Sequence, residues 1–132
     1  MAYKLFLINI IALYIISCTA SIHEIAYYDN GNKRYDIEYK NGNIDGLAIY
    51  WDDDGNLINK VYYINNKLHG QWIDYYSNGN ILHTIKYNFG KKHGKEIWYY
   101  ESGNIKSQVV FKNDNIVSDI IRWDDNGKII YE

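Results

Sequence analysis

The 132-residue sequence has one cysteine, Cys18, and no proline. A lone thiol excludes an intrachain disulfide framework. Basic residues are not in excess: 14 Lys and Arg stand against 16 Asp and Glu, a formal charge of −2. That removes the electrostatic footprint of a nucleic-acid binder, whose affinity rests largely on phosphate neutralisation. No stretch carries a helical period. The longest largely apolar run, Leu5 to Ile16, has twelve residues with only Asn9 polar, short of the roughly 20 that a spanning helix needs. Catalytic signatures are missing too. There is no G-x-S-x-G nucleophile motif, and no array of paired carboxylates in an evident cleft of the kind glycoside hydrolysis requires. Disorder is excluded as well, because 47% of the residues are hydrophobic and only 23% charged.

What the chain has is tyrosine, 15 residues of it, and a strict period. Glycines stand at Gly31, Gly55, Gly79, Gly103 and Gly127, every 24 residues. Six positions before each is an isoleucine (Ile25, Ile49, Ile73, Ile97, Ile121), and four before each is an aromatic (Tyr27, Trp51, Tyr75, Tyr99, Trp123). Self-similarity at this period marks a repeat protein. Within a unit, Ile73 and Tyr75, then Ile85 and Tyr87, alternate with polar residues, the period of a strand. Asn78-Gly79 and its equivalents lie between the runs and predict two-residue type I′ hairpin turns. A second turn series, noisier in composition, is Asn41-Gly42, Asn65-Asn66, Phe89-Gly90 and Asn113-Asp114.

Two strands and two turns per period predict an all-β fold, an elongated antiparallel β meander or solenoid of 24-residue two-stranded repeats. About ten short strands are expected, joined in sequence by tight turns. The ladder isoleucines and aromatics are assigned to one packed face, together with Ile37/Tyr39, Val61/Tyr63, Ile85/Tyr87 and Val109/Phe111. A third glycine series, Gly46, Gly70 and Gly94, suggests a bulge or a close backbone approach. It lapses at Ser118, as expected of a decayed or capping last unit.

The N-terminus pairs Lys4 with the short apolar run and ends it in Ser17-Cys18-Thr19-Ala20. This is the layout of a secretory signal peptide. Ile15-Ile16-Ser17-Cys18 further resembles the bacterial lipobox, with isoleucine at its first, usually leucine, place. The domain reading is therefore a lipoprotein-type signal peptide over 1–17, a lipidated Cys18 with a short connector to 24, and a repeat domain over 25–132. Acyl chains at Cys18 would tether an exported protein to a membrane of the cell envelope.

The run Tyr87-Asn-Phe-Gly90-Lys-Lys-His93-Gly94-Lys-Glu-Ile-Trp98-Tyr99-Tyr100-Glu-Ser-Gly103 resembles a MORN repeat in its bacterial variant form. Tyr63 to Trp72 and Tyr39 to Gly46 match the pattern less closely. The departures are Asp45 at the histidine place and the loss of His-Gly around Val117-Ser118. The resemblance spans about residues 25–131 and implies an elongated meander used for binding or scaffolding, with no catalytic residues or cofactors to carry over. Some bacterial members are antitoxin-like, which implies an immunity role as an alternative.

Metal chemistry is weakly indicated. His69 and His93 are one repeat apart, roughly 10 Å across two strand spacings, too far for one ion, and are read as packing beside aromatics. Asp52-Asp53-Asp54-Gly55-Asn56 has carboxylates for calcium, but lacks the closing glutamate of an EF-hand loop. The remaining signal is aromatic. Trp72, Tyr76, Leu82, Lys86, Trp98 and Tyr100 are expected on the face opposite the packed one, as a partner-binding patch. The functional expectation is a non-enzymatic, envelope-tethered protein-binding or scaffolding module. Neutralisation of a toxin and binding of glycan or lipid headgroups through the aromatics are the alternatives.

Overall fold

The computed structural model describes residues 20–130. Cys18 and the segment read as a signal peptide lie outside them. Eleven strands form one antiparallel sheet. The first eight are β1 (Ile22–Tyr27), β2 (Lys33–Lys40), β3 (Asn43–Trp51), β4 (Leu57–Ile64), β5 (Lys67–Tyr75), β6 (Ile81–Asn88), β7 (Lys91–Tyr99) and β8 (Ile105–Lys112). Each pairs with the next in sequence. The C-terminal end is fragmentary: β9 (Asn115–Ile116) and β10 (Ile121–Trp123) both pair with β8, and β11 (Ile129–Ile130) pairs with β10. The all-β meander expected from the sequence is the observed fold. It is a single open layer, since the extensive contacts between described elements run between sheet neighbours.

The type I′ geometry expected of the ladder turns is found instead in the second series, for which only a turn was expected. Type I′ geometry, with positive φ at both centres, occurs in the noisier series: Asn41 and Gly42 at 50° and 78°, Asn65 and Asn66 at 47° and 63°. In the ladder turns only the glycine is left-handed, Gly79 at 86°. There the Gly79 N–H donates to Tyr76 O at 2.9 Å and the Tyr76 N–H to Asn80 O at 2.8 Å. This is a three-residue loop, a type I turn closed by a left-handed glycine. The Asn78 side chain selects it by accepting the Asn80 N–H at 2.9 Å.

The bulge glycines behave as expected. Between Ile37↔Ala48 and Tyr39↔Ile44, β2 has one residue, Glu38, where β3 has Asp45, Gly46 and Leu47. The same irregularity recurs at Gly70 and Gly94. A Cβ on Gly46 would lie 2.8 Å from Glu38 Cβ, so this position must approach its neighbour without a side chain.

The predicted sidedness is corrected. Ile49 pairs with Asp36 and Lys60, and Ile73 with Lys60 and Thr84, whereas Ile37, Ala48, Val61, Trp72 and Ile85 form a separate cross-strand row. Directly paired residues share a face, so the ladder isoleucines lie on the opposite face from Ile37, Val61 and Ile85. Partner numbers sum to an odd value here (73 with 84, 72 with 85). Residues of equal parity on adjacent strands therefore face opposite sides. The packed face is the second row: Ala48, Val61 and Ile85 are 0%, 1% and 2% exposed. Tyr35, Tyr39, Tyr50, Tyr63 and Trp72 pack around Ile37, Ala48 and Val61. Burying Val61 or Ile85 contributes about 1.5–3 kcal/mol each. On the ladder face, lysine stems cover aromatics instead, with Lys60 Nζ 5.8 Å from the Tyr75 ring centre.

Candidate binding surface

Successive repeats are joined along the ladder edge by side chains. The Tyr28, Tyr76 and Tyr100 hydroxyls donate to the carbonyls of Trp51, Tyr99 and Trp123 at 2.8, 2.8 and 2.9 Å. Asn32, Asn80 and Asn104 donate to Asp53, Glu101 and Asp125 carbonyls at 2.8, 2.8 and 2.7 Å. The second ladder turn differs. Asp52 accepts the Asn56 N–H at 2.7 Å and its side-chain amide at 3.1 Å, and hydrogen bonds from Asn56 hold its carboxyl below the ordinary value. The Asp52 carboxylate thus caps its own turn. Among the described residues no three His, Cys, Asp or Glu side chains are placed to hold a metal ion.

On the opposite edge, Asp45 and His69 do one job. Asp45 Oδ2 accepts the Asn65 N–H and His69 Nδ1 the Phe89 N–H, both at 3.4 Å. Aspartate can replace histidine there because the position needs an acceptor aimed at the next turn. His69 also packs on Phe89, with ring centres 4.6 Å apart.

The packed face has a polar centre that the repeat does not predict. His83 is 7% exposed. Its Nδ1 is 2.9 Å from Asp74 Oδ2 and its Nε2 3.1 Å from Glu96 Oε1. Asp74 Oδ1 also accepts from Trp72 Nε1 at 2.8 Å and Asn59 Nδ2 at 2.5 Å. Lys92 Nζ completes the network at Glu96 Oε1, 2.9 Å away. Burial works against ionisation of Asp74, yet the hydrogen bonds from His83, Trp72 and Asn59 outweigh it and hold the carboxyl below its usual value. The Trp98 indole stacks on His83 with centroids 4.1 Å apart and remains 42% exposed. Tyr87 flanks Trp72, ring to ring at 6.2 Å.

This arrangement suits recognition better than proton transfer. Both nitrogens of His83 already face carboxylates, and one side of its ring is covered. The network instead locks two tryptophans in place, and rigid, partly exposed indoles are what binding hot spots use.

The six sequence-predicted residues do not form one patch. Trp72 and Trp98 share the packed face with Val61 and Ile85, not the face opposite it. Lys86 pairs with Gln71, one register step from the Trp72–Ile85 pair, and so lies on the other face. Tyr76 and Tyr100 lie at the ladder edge, tied to the next repeat. Leu82 sits at the register shift opposite Asp74 and Tyr75. Asn59, Asp74, His83 and Glu96 were missed. Their signal was departure from the repeat: the places of Asp74 and His83 carry Tyr50 and Asn59 one unit earlier, and Trp98 and Ser107 one unit later.

An open sheet of tandem hairpins, with an aromatic face that no other described element covers, defines the class, a tandem β-repeat protein. The family model of the MORN repeat variant matches residues 23–41, 44–65, 68–88 and 92–113, and the chain belongs to that family. Each matched segment is one hairpin, from β1–β2 through β7–β8. Among curated proteins the chain has no significant match. MORN repeats are commonly protein- or membrane-binding modules, and the family is not an enzyme family.

Proposed function

We propose that this chain is a non-enzymatic protein-binding module held at the cell envelope by a lipidated Cys18. Its partner docks on the face that presents Trp98 and Trp72. The supporting observation is the Asn59–Asp74–His83–Glu96–Lys92 network beneath the indoles. It pre-orders large aromatic side chains on a face that no other described element covers, so little side-chain entropy is lost on binding.

The test is site-specific photocrosslinking in envelope fractions from position 107, the cross-strand neighbour of Trp98, which leaves both indoles in place. A discrete protein adduct, lost when Trp72 is also replaced by Phe, supports the reading. Adducts with polysaccharide or lipid alone would favour the glycan or headgroup alternative, and a co-encoded toxin as the adduct would favour the immunity alternative. Palmitate labelling of wild type against Cys18→Ser tests the anchor, and an unlabelled, cytosolic wild type would overturn it.

A further inference from the structure

The open sheet leaves the outer edge of β1 unpaired by any described strand. That edge is the counterpart of one the repeat uses everywhere else. One period on, residues 24–26 correspond to 48–50, where Ala48, Ile49 and Tyr50 pair regularly with Ile37, Asp36 and Tyr35. Native edge strands are normally blunted by lysine, proline, bulges or inward-pointing charge. The sequence of β1, Ile-His-Glu-Ile-Ala-Tyr, has no lysine or proline. Its one carboxylate, Glu24, shares the face of Ile37 but is engaged by β2, where Tyr35 donates to it at 2.8 Å, and His23 Nδ1 lies 2.7 Å from Asp36. Ile22, Ile25 and Tyr27 are left exposed.

The opposite end of the sheet is different. Its edge is divided among β9, β10 and β11, of two, three and two residues. Head-to-tail addition would match a six-residue strand with fragments. Antiparallel pairing of β1 with itself matches its whole length and closes on a two-fold axis, leaving no further open long edge.

We propose that two copies of the chain pair through β1, antiparallel and centred on Ile25, to form one continuous sheet. This register opposes Ile25 with its symmetry mate, Glu24 with Ala26 and His23 with Tyr27. Centring on Glu24 instead would set two carboxylates directly opposite each other, which is destabilising. About Ile25 the two-fold axis joins the ladder isoleucine rows of both copies, so that each face of one continues into the same face of the other. The proposal is independent of what docks on the tryptophan face.

The test uses the full chain with Cys18→Ser as background. Directly opposed antiparallel residues have Cα atoms about 4.5–5.5 Å apart, within disulfide range. Ile25→Cys should therefore oxidise to a covalent dimer. Tyr27→Cys should not, because its symmetry mate lies four residues further along the strand, roughly 13 Å away. Light scattering should give twice the chain mass for the Cys18→Ser protein and the single-chain mass for Ile25→Lys, with the circular-dichroism spectrum unchanged. Lysine is compatible with this row, since Lys60 occupies it on β4. A monomeric Cys18→Ser protein at every concentration, equal crosslinking at 25 and 27, or open-ended oligomers would each overturn the proposal. Should Ile25→Lys lose its fold, the cysteine pair still decides.

Discussion

Phe89 occupies a backbone conformation that suits it badly, and replacing it gives a sharp test of the turn assignment. It is the first centre of a type I′ turn, with φ 47°, and is 55% exposed. The equivalent places in the other three turns are Asn41, Asn65 and Asn113. A side chain in the left-handed region costs roughly 1–2 kcal/mol. Asparagine largely escapes that cost because its short polar side chain bonds locally. Against this, Phe89 packs on His69 at 4.6 Å, and such ring contacts contribute about 0.5–1.5 kcal/mol. The exposure of Phe89 places its benefit at the low end. Phe89→Asn should therefore raise stability by about 0.5–1 kcal/mol, a few degrees in Tm for a domain of this size. The Phe89 N–H bond to His69 is a backbone donation and survives the change. Urea titration followed by tryptophan fluorescence measures the difference. A loss of more than about 0.5 kcal/mol, on the scale of a ring contact, would show that the ring holds the turn and that the backbone argument is wrong.

Trp72→Ala should destabilise by about 3 kcal/mol, the low end for a core truncation, because its partly buried indole packs against the buried cluster and bonds Asp74. Trp98→Ala should leave the thermal midpoint closer to wild type while abolishing adduct capture; equal destabilisation by both would refute the division of labour. Asp74 has a depressed folded-state pKa, so its contribution is fully present above the unfolded carboxylate value of about 3.9. It fades as pH falls through the lower folded value. Asp74→Asn should accordingly be less stable than wild type at neutral pH and show a shallower acid limb by circular dichroism, whereas parallel acid curves would dismiss the network's role. Tyr76→Phe removes one inter-repeat hydrogen bond and should cost about 0.5–1.5 kcal/mol; no change in the denaturation midpoint would mean that the bond adds nothing to repeat coupling.

Local signals were enough for the architecture. Alternating residues between glycine-marked turns specify strands, because a two-residue side-chain period and positive φ are properties of a few neighbouring residues. The 24-residue spacing then dictates tandem hairpins, and Gly46, Gly70 and Gly94 betray the bulges. Which residues share a face, however, is a property of strand pairs. Only the register showed Ile85 opposite Trp72, and Ile73 opposite Thr84. Likewise, Asn-Gly in the ladder is compatible with two turn types, and the Asn78 side chain decided between them through its hydrogen bond to Asn80. The network at His83 was further out of reach. Asp74, His83 and Glu96 lie on three strands, 9 and 13 residues apart in sequence, and break the repeat where they occur. Periodicity reveals what every unit has in common, which is scaffold. The residues that distinguish one unit from the next become a surface only when pairing sets them side by side.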